Sequence, residues 1–169
     1  MRSLEEPAIA CLERPETYSA LEQWSEFETV FRVWRYPALR ACSSWLLRES
    51  KDSFWIRRLE WDRYKDSAFP QGEPTIYGSE AIVLTEDAQT IIEKFRALSL
   101  QPFLNPPQFG IDGETFGVET KSYYLKCRLS WWSRPPESWQ SLAVWLEETT
   151  DYFDSLLPQS TAKMNEARW

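Results

Sequence analysis

Residues 109–139 read FGIDGETFGVETKSYYLKCRLSWWSRPPESW, and the fold turns on how this stretch is parsed. The Asp112-Gly113 pair suits a tight turn, because glycine reaches positive φ without a Cβ clash. Residues 115–120 then read as a strand. From Tyr123 onward the side chains alternate. Tyr123, Leu125, Cys127, Leu129 and Trp131 fall on one face, and Tyr124, Lys126, Arg128, Ser130 and Trp132 on the other. This period predicts a strand with one buried face and turns Cys127 inward as a core filler. Lys121-Ser122 lacks the Gly or Asn of a tight hairpin, which predicts a longer connection. Pro135-Pro136 ends the second strand, because proline cannot donate to a ladder, and Pro136 suits the first turn of a helix.

That helix is predicted over 137–157. Trp139, Leu142, Ala143, Leu146, Thr150, Phe153 and Leu157 recur at helical spacing, and Pro158 marks the stop. Burying such side chains gains ~1.5–3 kcal/mol each before the ordering entropy is counted. The helix needs a sheet to lie on, and the sheet's apolar face needs a cover.

Working outward, residues 27–36 predict a strand that stops before Pro37, preceded by a short helix or turn near 19–25. Residues 44–49 and 54–61 predict two more, joined by the polar turn 50–53, with Trp55, Leu59 and Trp61 on one face. Residues 66–74 read as loop, and 75–84 as a further strand bulged near Gly78. Thr85 is placed as N-cap of a helix over 86–98, with Glu86 and Asp87 at its positive end and Ala88, Ile91, Ile92, Phe95 and Leu98 inward. Pro102, Pro106 and Pro107 predict an extended loop back to Gly110. This order is not the βαβ alternation of a parallel sheet. It predicts an α+β single domain over 17–158: a mainly antiparallel sheet of about five to seven strands packed by the helices 86–98 and 137–157. Residues 1–16 read as irregular, and 159–169 as a polar, frayed tail.

Composition narrows the chemistry. The 169 residues include 10 tryptophans, and 43% are hydrophobic, which argues against disorder. No apolar run approaches the ~18 residues of a membrane span, and the acidic N-terminus is no secretory signal. Three separated cysteines, Cys11, Cys42 and Cys127, read as reduced thiols in a cytoplasmic protein. The absence of histidine excludes Ser-His-Asp and Cys-His sites and His-ligated zinc. With five glycines and no Gly-rich phosphate loop, no cofactor and no metal are predicted.

Charge is uneven. Residues 1–31 hold seven acids and two bases, whereas 32–65 hold nine bases and four acids. The basic block reads as solvated strand edges and as partners for the acidic segments. A net charge of −7 argues against nucleic acid as a ligand.

Three sets of residues are candidates for function. Asp112, Glu114 and Glu119 could serve as paired acid/base carboxylates or metal ligands, and Glu80 as a functional carboxylate set in an apolar strand, although a turn-forming Asp, solvated strand carboxylates and an arginine-paired Glu80 read more simply. Tyr124, Lys126, Arg128 and Trp132 form a mixed aromatic and basic face, open to stacking by nucleic acid or sugar, or covered by the N-terminal segment or another helix. On the last helix, Trp145 and Tyr152 lie one above the other beside Glu148 and Asp151, with Glu137 also off the apolar stripe. Aromatic anchors flanked by acids suit an interface with a basic protein, and the competing reading is that both aromatics cover the sheet within the monomer.

The segments RVWRYP (32–37), RRLEWDR (57–63), YGSEA (77–81), GIDGETFG (110–117) and RLSWW…PPESW (128–139) together resemble a loosely defined group of small acidic bacterial proteins. Some members of that group lie beside polymorphic toxin genes and look like immunity proteins. The resemblance spans residues 27–157 and implies a fold. It implies a partner-occluding function by association alone and carries over no functional residue. The sequence thus predicts a non-enzymatic binding protein, most simply an immunity-type inhibitor of a basic toxin domain. The alternative is a small-ligand binder or carboxylate-dependent hydrolase using Asp112, Glu114 or Glu80.

Overall fold

Among the described residues six strands form one sheet: β1 (Glu28–Pro37), β2 (Cys42–Ser50), β3 (Ser53–Trp61), β4 (Ile76–Val83), β5 (Glu114–Lys121) and β6 (Lys126–Trp132). They lie in the order β4-β3-β2-β1-β5-β6, every neighbouring pair antiparallel. Among the same residues five α-helices accompany them: α1 (Glu5–Leu12), α2 (Arg63–Ala68), α3 (Thr85–Arg96), α4 (Gln140–Leu156) and α5 (Thr161–Glu166). The structure, a computed structural model, describes residues 4–23, 26–51, 53–69, 72–102, 113–121 and 126–167. The architecture is the α+β single domain that the sequence predicts. Among the described residues no helix is long and apolar enough to cross a membrane.

One face of the sheet is the main core. Phe31, Val33, Trp45, Leu47, Phe54, Ile56, Val118 and Trp131 point to it, and α3 and α4 close over them with Ala88, Leu142, Trp145, Leu146 and Phe153. The predicted stripe of α4 is buried as expected, apart from half-buried Ala143. A one-residue β-bulge between Thr29 and Phe31 shifts the alternation in β1. Thr29 and Arg32 therefore share the opposite face.

That opposite face is built differently. The register aligns Glu80, Arg57, Leu46, Arg32, Glu119 and Arg128, one from each strand. Charges of opposite sign thus meet across strands: Arg57 pairs with Glu80, and Arg32 and Arg128 approach Glu119 at 3.2 and 3.8 Å. Two residues along, the row is Gly78, Leu59, Ser44, Trp34, Gly117 and Ser130. The Trp34 ring fills the space above Gly117, and Tyr18 and Leu21 fill that above Gly78. Only hydrogen fits at Gly117, whereas a Cβ on Gly78 would have to displace the side-chain ends of Leu21 and Tyr18.

The N-terminal segment covers this face. Ala8 and Leu12 of α1 pack on Cys42, Leu59 and Trp61. Beyond α1 the segment has no strand partner, so its covered carbonyls need other donors. Arginines supply them. Arg57 donates to Pro15 O at 2.9 Å and to Glu22 O, Arg32 approaches Leu12 O at 3.5 Å, and Arg48 donates to Phe27 O. Arg57 and Arg32 are only 2% and 4% exposed, so these bonds form away from water.

Several expectations are corrected. Residues 1–16 hold α1 rather than an irregular segment. Pro7 sits in its first turn, where its missing N–H costs nothing, and burial of Ala8 and Leu12 supplies what propensity does not. Of the short helix or turn expected near 19–25, residues 19–20 form the turn. The expected loop 66–74 begins inside α2, which Asp62 caps by accepting from Lys65 N–H at 2.9 Å. Leu84, not Thr85, is the N-cap of α3. The β3–β4 register passes Gly78 without a bulge. Cys127 is exposed, because β6 is an edge strand and α4 does not reach over its start. The tail is not frayed over 161–166: α5 packs back, capped by Ser160. Asp112, Ser122 to Leu125, Pro106 and Pro107 lie outside the described residues.

Candidate partner-binding surface

α4 presents its inner stripe to the sheet, and α3 runs beside it. The flank of α4 that meets α3 carries Trp145, Glu148, Thr149 and Tyr152, spaced three, four and seven residues from the first. Trp145 is therefore interior, at 4% exposed, and not the exposed anchor expected of it. Its indole N–H donates to Ile91 O at 3.1 Å, and its ring lies 4.7 Å from Phe95 and 5.4 Å from Phe31. Helical periodicity places Trp145 off the stripe, but α3 supplies it with a second wall.

Tyr152 is half-buried, and its hydroxyl donates to Asp87 Oδ2 at 2.6 Å. Burial, then the bond to Asp87 and its negative charge, push the phenol up to about 12. Glu148 is exposed and pairs with Lys94 of α3 at 3.2 Å. Trp145, Tyr152 and Glu148 thus meet in a groove of about 200 Å³ between α3 and α4, with Asp87, Thr90 and Lys94 on the α3 side. Aromatic surface beside carboxylates suits a cationic side chain, and Lys94 already sets an ammonium against Glu148 there. Asp151 is not part of this groove. One residue from Tyr152 is about 100° around the helix. Asp151 lies instead beside Arg35, Arg40 and Lys163 in a separate recess of about 140 Å³. Glu137 is exposed at the start of the 3₁₀ turn Glu137–Trp139 that leads into α4.

The second candidate surface is largely occupied from within. Lys126 and Arg128 both reach Glu119, and Arg128 also pairs with Glu13 of the N-terminal segment at 2.7 Å. Burial would raise Glu119, but hydrogen bonds from Lys126 and Arg32 and their charge outweigh it and hold the carboxyl below its ordinary value. Trp132 covers Gly113 and is half-buried. Tyr124 lies outside the described residues. Between the N-terminal segment and the sheet is a recess of about 330 Å³, where Glu13, Glu16 and Glu119 face Arg14, Arg32 and Lys126. Its charges balance.

The alternative acid set is not assembled. Glu114 holds Arg35 by two bonds, at 2.9 and 3.1 Å, on the helix-covered side. Glu80 holds Arg57 on the other face, and three strands separate β4 from β5. Among the described residues no three His, Cys, Asp or Glu side chains are placed to hold a metal ion.

Sequence reasoning passed over one polar cluster. Asp154 of α4 accepts from Trp45 Nε1 at 2.8 Å, Arg58 Nη1 at 2.9 Å and Lys163 Nζ at 2.9 Å. Burial acts to raise it, but these bonds prevail and hold it below its ordinary value. Beside it, burial pushes Glu60 up, opposed by Arg58 and by the Ser160 hydroxyl at 2.6 Å. Asp62 accepts from Asn165 at 2.7 Å. These groups fasten α5 to β3. The Ser160 N-cap was the available signal.

Set against protein-family models, curated proteins and solved structures, the chain has no match. Its class is therefore read from the fold, α+β, and its chemistry from the surface just described.

Proposed function

We propose that this chain is a non-enzymatic binding protein that engages a basic protein partner through its helical layer. The partner that fits the resemblance to immunity-like proteins is a toxin domain, which the chain would occlude. Charge carries the reading. Residues 85–96 and 137–156 hold eight acids against two bases, and only Asp154 among those acids is committed to the sheet side. Glu148 lines the α3–α4 groove, and exposed Glu86, Glu93, Glu137, Glu147 and Asp151 lie elsewhere on the two helices and the turn before α4. Such a field speeds encounter with a cationic surface, and an aromatic-walled slot beside it gives one cationic side chain a place to bind.

The test is binding to the purified product of the gene adjoining this one, with Thr90→Trp as the probe. Thr90 is exposed on the groove wall, so a large side chain there should plug the slot without disturbing the core. Affinity should fall about tenfold or more at unchanged melting temperature. Equal affinity would remove the groove from the interface. A metabolic neighbour that does not bind would remove the toxin reading.

A further inference from the structure

We propose that the outer edge of β4 joins two copies of this chain, continuing the sheet across an antiparallel β4–β4 pair. β4 and β6 are the two ends of the sheet, and they are finished differently. β6 carries exposed Lys126 and Arg128, the kind of charged side chain that discourages edge pairing. β4, IYGSEAIV, has no Lys, Arg or Pro, and its one charge, Glu80, is held by Arg57 on the sheet face. Its register with β3 is unbroken over eight pairs, from Ile76 to Val83, so no bulge turns the edge away. The Tyr18 hydroxyl donates to Ile76 O at 2.9 Å at the start of this edge, and outward-facing N–H and C=O groups otherwise go to water or to another strand.

The side chains favour the strand. Ile82 is 61% exposed and Leu84 69%, on the same face as half-buried Trp55, which lies opposite Ile82. A second copy fits better than a charged partner. The chain carries −7 overall, but β4 offers no unpaired charge, so two copies can meet here without opposing free carboxylates. An antiparallel copy centred on Ile82 sets Ile82 against its own counterpart, Ala81 against Val83 and Glu80 against Leu84, and the ladder stops there because α3 begins at Thr85. The two central pairings are apolar, and the two-fold arrangement closes on itself. This proposal stands apart from the helical interface and needs no partner for its test.

Sedimentation of the full chain from about 1 to 100 µM should show mass rising from the 20.0 kDa monomer toward twice that value. Ile82→Lys with Leu84→Lys should remain monomeric throughout, with unchanged far-ultraviolet dichroism, because both side chains are exposed. The single change Ile82→Thr should weaken association about tenfold and guards against a folding artefact. Leu39→Lys, which alters another exposed apolar residue outside β4, should leave association intact. A wild-type chain that stays monomeric over this range overturns the proposal. So does a dimer that survives the double lysine variant, since it would have to form elsewhere.

Discussion

The indole of Trp34 occupies the space that a side chain on Gly117 would need, directly across the β1–β5 pairing. Arg32 and Arg128 bracket that ring, their guanidinium carbons 4.3 and 4.9 Å from its centroid. Trp34 is 1% exposed and has nowhere to retreat. Gly117→Ala should therefore destabilise by about 1–3 kcal/mol, as overpacking of a core does. Urea unfolding measures it, and a midpoint equal to wild type would mean that the ring moves freely.

Trp145 belongs to the core. Trp145→Ala should cost about 3–5 kcal/mol in thermal or chemical unfolding. Tyr152→Phe should cost much less, since the ring keeps its packing and only the bond to Asp87 is lost. A well-folded Trp145→Ala protein with wild-type stability would refute the buried placement.

Exposed acids on α4 should act on encounter rather than on residence. Glu147→Lys with Asp151→Lys should slow association with a basic partner and leave dissociation nearly unchanged. Added salt should shrink the difference, because screening at physiological strength acts over about 8 Å. Stopped-flow or surface binding kinetics distinguish the cases, and an unaltered association rate would place the partner elsewhere.

Acid stability has a defined sign. Asp154 is held below its ordinary value of 3.8, so its contribution is present above that pH and is lost as pH falls through the folded value. Glu60 has the opposite sign. Burial raises it, so its deprotonation costs stability as pH rises from 4.5 through the folded value. Asp154→Asn should thus be less stable at neutral pH and lose less stability on acidification than wild type. Melting temperatures across the acid range test this, and parallel curves for the two proteins would contradict it.

Arg57 is the fastener of the N-terminal segment. Removing one partner of a buried ion pair costs about 3–5 kcal/mol, and Arg57→Ala also takes the guanidinium bonds away from the carbonyls of Pro15 and Glu22. Hydrogen exchange should then rise over residues 4–23 before it rises in the sheet. Uniform exchange along the chain would show that the segment and the sheet open together.

Much of the sheet and both main helices could be read directly, because period-2 and 3.6-residue patterns report which side of an element is dry. The reading of the basic block as solvated strand edges fails at Arg32 and Arg57, which are buried. In a sheet with one wet face their alternation marks them as solvent-facing, yet here both faces are covered. Trp34, Tyr36, Leu59 and Trp61 share that face with them, and this was the visible sign of a second cover. Helices α1 and α5 were illegible for a related reason. Each is short, and its stability comes from docking on β3 and its neighbours, which no local window contains. For Trp145 and Tyr152, periodicity located the flank correctly. What it could not show was that α3 would lie against that flank, leaving Glu148 outside and Trp145 within.

The placement of β1 between β2 and β5 has a consequence for biosynthesis. Its pairing with β2 closes a short hairpin, but its bonds on the other side wait for residues far downstream, as the 79-residue separation of Arg35 and Glu114 records. While the ribosome makes the intervening chain, β1 presents an open, apolar edge to every neighbouring nascent chain. A polypeptide ended after residue 100 keeps that edge permanently. It should collect in the insoluble fraction on expression, and co-expression of residues 101–169 as a separate piece should return it to solution.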